Sequence, residues 1–304
     1  MPRWVAFLLV ASLVLVPAAA EPSTATFPGR NGKIAFVSYR GGLSELYVMG
    51  ADGRGVKRVL KGIDATSPTW SPDGRTIAFG SNRPGERQGL STVASAGGRV
   101  RKLTDHSRET RDGRVSWSPD GKRIAFAREE ATSRSVAIYI MNARGGGLRR
   151  LAADAARPAW SPDGRSIAFV GAVRGAKADV YVMRADGSDR RQLTRGTGND
   201  HSPDWSPDGR RIAFFSDRDG NQEIYVMNAD GSRQVRLTRK VGHDQAPVWS
   251  PDGRRIVFSG EPDFGRQANI YVMNADGSRV KRLTTGTQGD LDPSWQRPPP
   301  SRSR

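Results

Sequence analysis

The string Trp-Ser-Pro-Asp-Gly occurs at Trp70, Trp117, Trp160, Trp205 and Trp249, and a truncated copy, Pro293-Ser294-Trp295, closes the series. The intervals are 47, 43, 45, 44 and 46 residues. Self-similarity at this period suits propeller blades of four strands each, is too long for leucine-rich repeats, and comes without the apolar pattern of a helical solenoid.

Inside each unit a second phrase recurs, as in Arg211-Ile212-Ala213-Phe214, then Glu223-Ile224-Tyr225-Val226-Met227-Asn228-Ala229-Asp230-Gly231-Ser232, then Val235-Arg236-Leu237-Thr238. It predicts four strands per unit: the segment ending at Trp, then Ile-Ala-Phe, then Ile-Tyr-Val-Met, then the one carrying Leu. The Asp-Gly pairs between the first and second strands, and between the third and fourth, are two-residue hairpin signals, because glycine reaches positive φ without steric penalty. Blade strands pack against neighbours on both faces, and these are apolar on both. Ile212 and Phe214 point one way and Ala213 the other, so a bulky face meets a thin one, as close packing requires. Proline stands two residues before the tryptophan at Pro68, Pro158, Pro203, Pro247 and Pro293, with Val115 the exception. Proline cannot donate to a ladder, so this strand belongs on an edge, and the innermost strand beside the channel is such an edge.

The N-terminal unit, Lys33-Ile34-Ala35-Phe36 with Leu46-Tyr47-Val48-Met49 and Val59, has three strands, whereas the copy at Trp295 is an inner strand with nothing after it. Each supplies what the other lacks. The expected fold is an all-β, six-bladed β-propeller with four antiparallel strands per blade, closed by pairing the C-terminal strand with the first blade. Blade two, with Leu90-Ser91-Thr92-Val93 and Ala96-Gly97 in place of the Tyr and Asp-Gly of the others, is expected to be the loosest. Residues 1–20 read as a signal peptide, from the apolar run Val5 to Val16 and the small-residue site Ala18-Ala19-Ala20. A short lead follows over 21–30, the propeller over 31–296, and a disordered basic tail over 297–304. The protein is therefore expected to be exported, periplasmic or extracellular, and soluble after cleavage.

The phrases Trp-Ser-Pro-Asp-Gly, Ile-Ala-Phe and Ile-Tyr-Val-Met-Asn-Ala-Asp-Gly-Ser followed by Leu-Thr resemble the propeller repeats of the TolB family, over about residues 31 to 296. The resemblance implies a TolB-like six-bladed propeller. It also implies a periplasmic protein whose propeller docks a peptidoglycan-associated lipoprotein over the channel mouth. In that family a separate N-terminal domain contacts the rest of the Tol envelope machine; only about ten residues stand between Glu21 and the first strand here, so that domain is expected to be absent.

With the inner strand first, both Asp-Gly hairpins of a blade lie on one face, and the more variable loops lie on the other. Five or six residues before each tryptophan stands an aspartate: Asp64, Asp112, Asp154, Asp200, Asp244 and Asp290. Closure of the ring would bring six carboxylates to one channel entrance, where like charges raise each other's pKa and favour a cation or a basic side chain between them. These residues, with His201 and His243, are the candidate partner-binding mouth. The competing reading is that the aspartates cap the blade-to-blade turns. His106, His201 and His243 all fall in blade-to-blade loops, so metal ligation stays open, although they lie on separate blades without i, i+4 spacing.

A net charge of +17 implies affinity for anionic surfaces, such as acidic glycans or lipid headgroups, although charge repeated from blade to blade is usually a solvated surface. An exported chain without aromatic-basic clusters is not expected to bind nucleic acid. The chain contains no cysteine, which excludes disulfides and thiolate chemistry, and no Gly-x-Ser-x-Gly elbow is present. The reading is a monomeric, non-catalytic binding or scaffold protein with no cofactor, whose partner is an envelope protein or lipoprotein. The alternative is a metal-dependent propeller enzyme, a lyase or hydrolase acting on an envelope or extracellular glycan.

Overall fold

The first complete unit shows how the repeat folds. In the computed structural model, which describes residues 31–82, 88–105, 109–171 and 177–297, the chain opens with β1 (Ile34–Ser38), β2 (Glu45–Met49) and β3 (Lys57–Arg58). Next comes β4 (Asp64–Trp70), which ends at the first repeated tryptophan, followed by β5 (Thr76–Asn82), β6 (Gly89–Ala94) and β7 (Arg101–Lys102). The third unit is β8 (Thr110–Trp117), β9 (Arg123–Glu130), β10 (Val136–Asn142) and β11 (Arg149–Ala153). The fourth is β12 (Ala155–Trp160), β13 (Ser166–Gly171), β14 (Asp179–Arg184) and β15 (Arg191–Gln192). The fifth is β16 (Asp200–Trp205), β17 (Arg211–Ser216), β18 (Glu223–Asn228) and β19 (Val235–Arg236). The sixth is β20 (Asp244–Trp249), β21 (Arg255–Gly260), β22 (Asn269–Asn274) and β23 (Lys281–Arg282), and the last strand is β24 (Asp290–Trp295).

Each unit is one four-stranded antiparallel sheet, and the first sheet runs β24-β1-β2-β3. The ring closes as expected, with Ile34 opposite Trp295 and Ser38 opposite Asp290. The expected signal peptide and lead, and the tail beyond Arg297, lie outside the described residues.

Every blade interface repeats one packing rule. Trp205, Ile212, Phe214, Tyr225 and Met227 of the fifth blade pack on Ala159, Ala168, Val180, Val182 and Leu193 of the fourth. The opposite face of the fifth blade, Ala213, Ile224 and Val226, receives Trp249, Ile256, Phe258, Tyr271 and Met273 of the sixth. At the seam, Trp295, Ile34, Phe36, Tyr47 and Met49 meet Val257, Ile270 and Val272. Phe36, Phe79, Phe126, Phe169, Phe214 and Phe258 are all fully buried, each worth about 1.5–3 kcal/mol relative to exposure. In blade two, Ser91 replaces the tyrosine, so Phe79 has no ring partner there and Ser81 hydrogen-bonds Ser91 at 2.7 Å instead.

The hairpins form where expected but are not two-residue turns. Gly209 N donates to Ser206 O at 2.9 Å, and Ser206 N to Arg211 O at 2.9 Å, so the connection holds the whole Ser-Pro-Asp-Gly sequence. Proline at the second turn position fixes φ near −65°, which excludes the doubly left-handed two-residue turn and selects a type I turn ended by left-handed glycine. Asp208 Oδ1 locks it, accepting from Ser206 Oγ and from Arg210 N at 3.1 Å. Gly231, at φ 91°, serves a second purpose, because a Cβ there would stand 2.7 Å from Leu193 O of the preceding blade.

Part of the repeated positive charge is structural. Arg101 Nη2, Arg149 Nη1 and Arg191 Nη1 donate to Ala143 O, Asp186 O and Asp230 O of the following blade at 3.1, 3.4 and 3.2 Å. Arg123 and Arg211 stack on Trp160 and Trp249 of the next blade, 4.7 and 4.5 Å from the ring centroids. These side chains tie neighbouring blades together on the hairpin side, whereas Arg75, Arg165, Arg210 and Arg254 stay exposed.

Candidate functional site

The face opposite the hairpins is built by the loops that enter each inner strand and by those joining the second strand to the third. The structure sorts the six expected aspartates into two groups. Asp112, Asp200, Asp244 and Asp290 share one register, opposite Arg128, Ser216, Gly260 and Ser38, and each is 0–1% exposed. Asp64 and Asp154 sit one residue earlier, and Ala65 and Ala155 take the shared position in their blades. Asp64 Oδ1 ties its connection to the β1–β2 loop, accepting from Ser44 N at 3.0 Å and Ser44 Oγ at 3.2 Å. Asp154 is exposed in a left-handed conformation at φ 48°.

The four buried carboxylates do not stand open to one another, because each has its own cation. Arg40 Nη2 reaches both oxygens of Asp290 at 2.9 and 2.8 Å, and Arg218 Nη2 both oxygens of Asp200 at 2.9 and 3.0 Å. Arg128 forks onto Asp112 with Nε at 2.6 Å and Nη2 at 2.8 Å, and Lys240 Nζ lies 3.7 Å from Asp244. Each cation also covers its blade's stacked Phe-Tyr pair. Arg40, Arg128 and Arg218 stand 5.2, 5.1 and 4.8 Å from the Tyr47, Tyr139 and Tyr225 centroids, and Lys240 3.8 Å from that of Tyr271. In the fourth blade Arg190 covers Tyr181 at 4.8 Å and, with alanine at the acidic position, donates to Ala153 O at 3.1 Å. The weakest of these pairs has the largest electrostatic consequence: burial pushes the Asp244 carboxyl up to about 7, against the pull of Lys240 and with a push from Glu223.

The two described histidines are engaged separately. His201 packs on Phe215 at 5.3 Å, and burial, reinforced by Arg157, lowers its pKa to about 4, so it is neutral at pH 7. His243 Nδ1 accepts from Gln222 N at 3.2 Å, with its ring edge-on to Phe264 at 5.1 Å. His106 lies outside the described residues. Among the described residues no three His, Asp or Glu side chains are grouped to hold a metal ion.

A further set of residues escaped the sequence reading. Every inner strand carries a bulge just before its proline, or before Val115 in β8, and the bulged residue is left-handed without being glycine: Ser67, Arg114, Arg157, Ser202, Ala246 and Asp292, with φ between 46° and 55°. These residues line a central cavity of about 170 Å³. Asp292 Oδ2 accepts from Ser67 N at 3.1 Å and Oγ at 3.2 Å, and Arg157 Nη1 donates to Ser202 Oγ. Burial next to Arg114 lowers the Arg157 pKa to about 10, with Asp292 opposing. Nearer the hairpin face, Asp204 Oδ2 accepts from Trp249 N at 2.8 Å, and its carboxyl is raised by burial to about 6 despite the nearby Arg297. The sequence signal for the ring is the position three residues before each repeated tryptophan, directly ahead of the proline.

Exposed apolar side chains also mark the loop face. Tyr39 and Leu43 lie in the β1–β2 loop, Val241 precedes β20, and Phe264 lies in the β21–β22 loop; they are 44, 37, 62 and 57% exposed. They occupy an arc over the fifth, sixth and first blades.

The TolB beta propeller domain family matches this chain over residues 21–153 and 116–241. The crystal structure of TolB from Acinetobacter baumannii superposes with a TM-score of 0.76 at 23% identity, covering 87% of this chain and 66% of that one. The chain thus spans just under two thirds of that protein's length. The putative TolB from Agrobacterium tumefaciens superposes with a TM-score of 0.67 at 28% identity, covering 88% of this chain and 94% of that one. The uncharacterized peptidase YuxL of Bacillus subtilis (strain 168) is 54% identical over 41 residues, 14% of this chain and 6% of that protein. That stretch has the length of about one blade repeat.

Proposed function

The chain belongs to the TolB β-propeller family, and from that premise we propose that it is a non-catalytic binding protein of the cell envelope, which holds a protein partner against its loop face and channel mouth. The observation that carries the reading is the asymmetry between the two faces. The hairpin face repeats one turn chemistry and one exposed apolar position, Val56, Leu148, Val235 and Val280, from blade to blade, while the loop face gathers its exposed apolar side chains on one arc beside cations held over buried carboxylates. Apolar side chains beside oriented charges are what a specific protein interface uses. In this reading Asp112, Asp200, Asp244 and Asp290 act by holding the cations that a partner meets. Asp64, Asp154, His201 and His243 shape the surrounding loops. Export rests on the leader-like stretch from Met1 to Ala20. The short match to a peptidase supports a shared blade repeat.

The test is retention of envelope proteins on the immobilised chain. Wild type should retain a defined partner, the Tyr39→Ser/Val241→Ser/Phe264→Ser variant should lose it, and Val235→Ser/Val280→Ser on the hairpin face should keep it. Retention by all three forms, or by none, defeats the reading.

A further inference from the structure

Two arginines on neighbouring inner strands face the same small space. Arg114 of β8 and Arg157 of β12 line both the central cavity of about 170 Å³ and an adjoining loop-face cleft of about 300 Å³. They are the only residues common to the two linings. The bulge that makes their backbones left-handed fixes both where they meet the channel, and Ser202 holds Arg157 in place. Arg114 has neither a hydrogen bond nor an ion pair among the described residues, whereas Arg40, Arg128, Arg218 and Lys240 have a carboxylate each.

Charge makes the pair unusual. Within the central cavity Asp292 offsets one guanidinium and is already engaged by Ser67, and the second carboxylate of the lining, Asp204, accepts from Trp249 N and is offset by the nearby Arg297, so one positive charge is left over. In the cleft, Arg111 stands against Glu129, and Asp112 is neutralised by Arg128. A planar fork of N–H donors suits a carboxylate, and two guanidiniums brought together in a part-buried space repel each other until an anion lies between them.

We propose that Arg114 and Arg157 form a carboxylate-binding site at the channel mouth, occupied by an acidic side chain of an extended peptide segment. The inference deepens the partner-binding reading and rests on it. One surplus positive charge matches a monoanionic carboxylate better than a phosphate dianion. No aromatic ring lines either cavity among the described residues, so a sugar ring would have nothing to stack on, whereas Gln88, Gly113, Val136 and Ala156 give the cleft the mixed amide and small apolar lining that flanking peptide residues use.

The experiment titrates the full chain with acetyl-Gly-Gly-Glu-Gly-amide, its Gln counterpart, glucuronate and inorganic phosphate, followed by calorimetry and by the Arg Nε–Hε NMR signals. The Glu peptide should bind at least 10-fold more tightly than the Gln peptide and shift the Arg114 and Arg157 signals. Arg114→Gln/Arg157→Gln should abolish that difference while keeping the wild-type unfolding midpoint within a few degrees. Equal binding of the two peptides, no binding of the Glu peptide, an unchanged preference in the double variant, or tighter binding of glucuronate or phosphate overturns the proposal. If the double variant loses the peptide preference and still retains the envelope partner through Tyr39, Val241 and Phe264, the site stands apart from the larger interface. If partner retention fails in every form while the Glu preference holds, the docking reading fails and the carboxylate site does not.

Discussion

Replacing Arg218 by methionine tests whether the cations over the Phe-Tyr stacks are required by the carboxylates beneath them. Arg218 donates to Asp200 at 2.9 and 3.0 Å, to Ser216 Oγ at 2.9 Å and to Gln234 Oε1 at 2.6 Å, and it lies 4.8 Å from the Tyr225 centroid. Asp200 is 1% exposed, so the variant strands a carboxylate with no counter-charge and no access to water. Removing one partner of a buried pair costs about 3–5 kcal/mol, and the lost cation–π contact adds up to about 1 kcal/mol. Methionine on the same two rings returns part of the packing. A net loss of about 3–4 kcal/mol should lower the unfolding midpoint by roughly 10 °C in a domain of this size. Arg218→Met/Asp200→Asn keeps the shape and removes the stranded charge, so it should recover more than half of that loss. Urea denaturation followed by tryptophan fluorescence reads both variants. Equal destabilisation of the single and the double variant would show that the cost lies in packing, and the charge argument would fail.

Three more outcomes follow from the same geometry. Asp204 has a folded-state pKa raised from 3.8 to about 6, so ionisation costs folding stability, and the cost is absent below pH 4 and complete above pH 6. Asp204→Asn keeps the acceptor for Trp249 N and should exceed wild type by about 3 kcal/mol at pH 7.5, with the gap closing towards pH 4; a gap independent of pH refutes the assignment. A chain ending at Gly289 lacks β24 and leaves the β1 edge and the Ile34–Phe36 face uncovered, so it should lose its cooperative transition and self-associate in sedimentation, whereas a monomer with wild-type stability would mean that the seam is dispensable. Gly231→Ala should cost at least about 1 kcal/mol more than Gly220→Ala, since both are left-handed but only the first brings a Cβ against a neighbouring blade's carbonyl; comparable midpoints would remove that contact from the account.

The fold was legible because its determinants are local and repeated. Ile-Ala-Phe fixes which face is bulky, Pro203 and its counterparts fix which strand is the edge, and Trp295 without a following strand fixes the closure. The site was legible only as a region. Asp64 and Asp154 looked equivalent to the other aspartates, but a one-residue difference in distance from the tryptophan moves them out of the shared register, and alanine fills the place. The cations were hidden for another reason: Arg40 and Arg218 come from second-to-third strand loops, Arg128 from within β9, and Lys240 from the loop before β20. No one offset in sequence finds them all. A partial signal does exist in Ser38-Tyr39-Arg40 and Ser216-Asp217-Arg218, where the serine directs Nε and the arginine reaches the next carboxylate.

A ring of near-identical blades has difficulty being specific, because whatever one blade presents at the axis its neighbours tend to present as well. Two devices break the symmetry here. The loops differ in length and in apolar content, which places Tyr39, Val241 and Phe264 on one arc. The bulged residue beside the channel is free to vary because neither the blade packing nor the ladder uses its side chain, and the chain puts Arg there in the third and fourth blades, Ser in the second and fifth, Ala in the sixth and Asp in the first. The left-handed backbone costs Arg, Ser and Ala about the same, so stability does not account for the choice of arginine. What differs among the six is the charge delivered to the channel axis, and the two arginines lie side by side where repulsion opposes the arrangement. An arrangement that folding gains nothing from, at a position that folding leaves open, is where a ligand's contribution belongs.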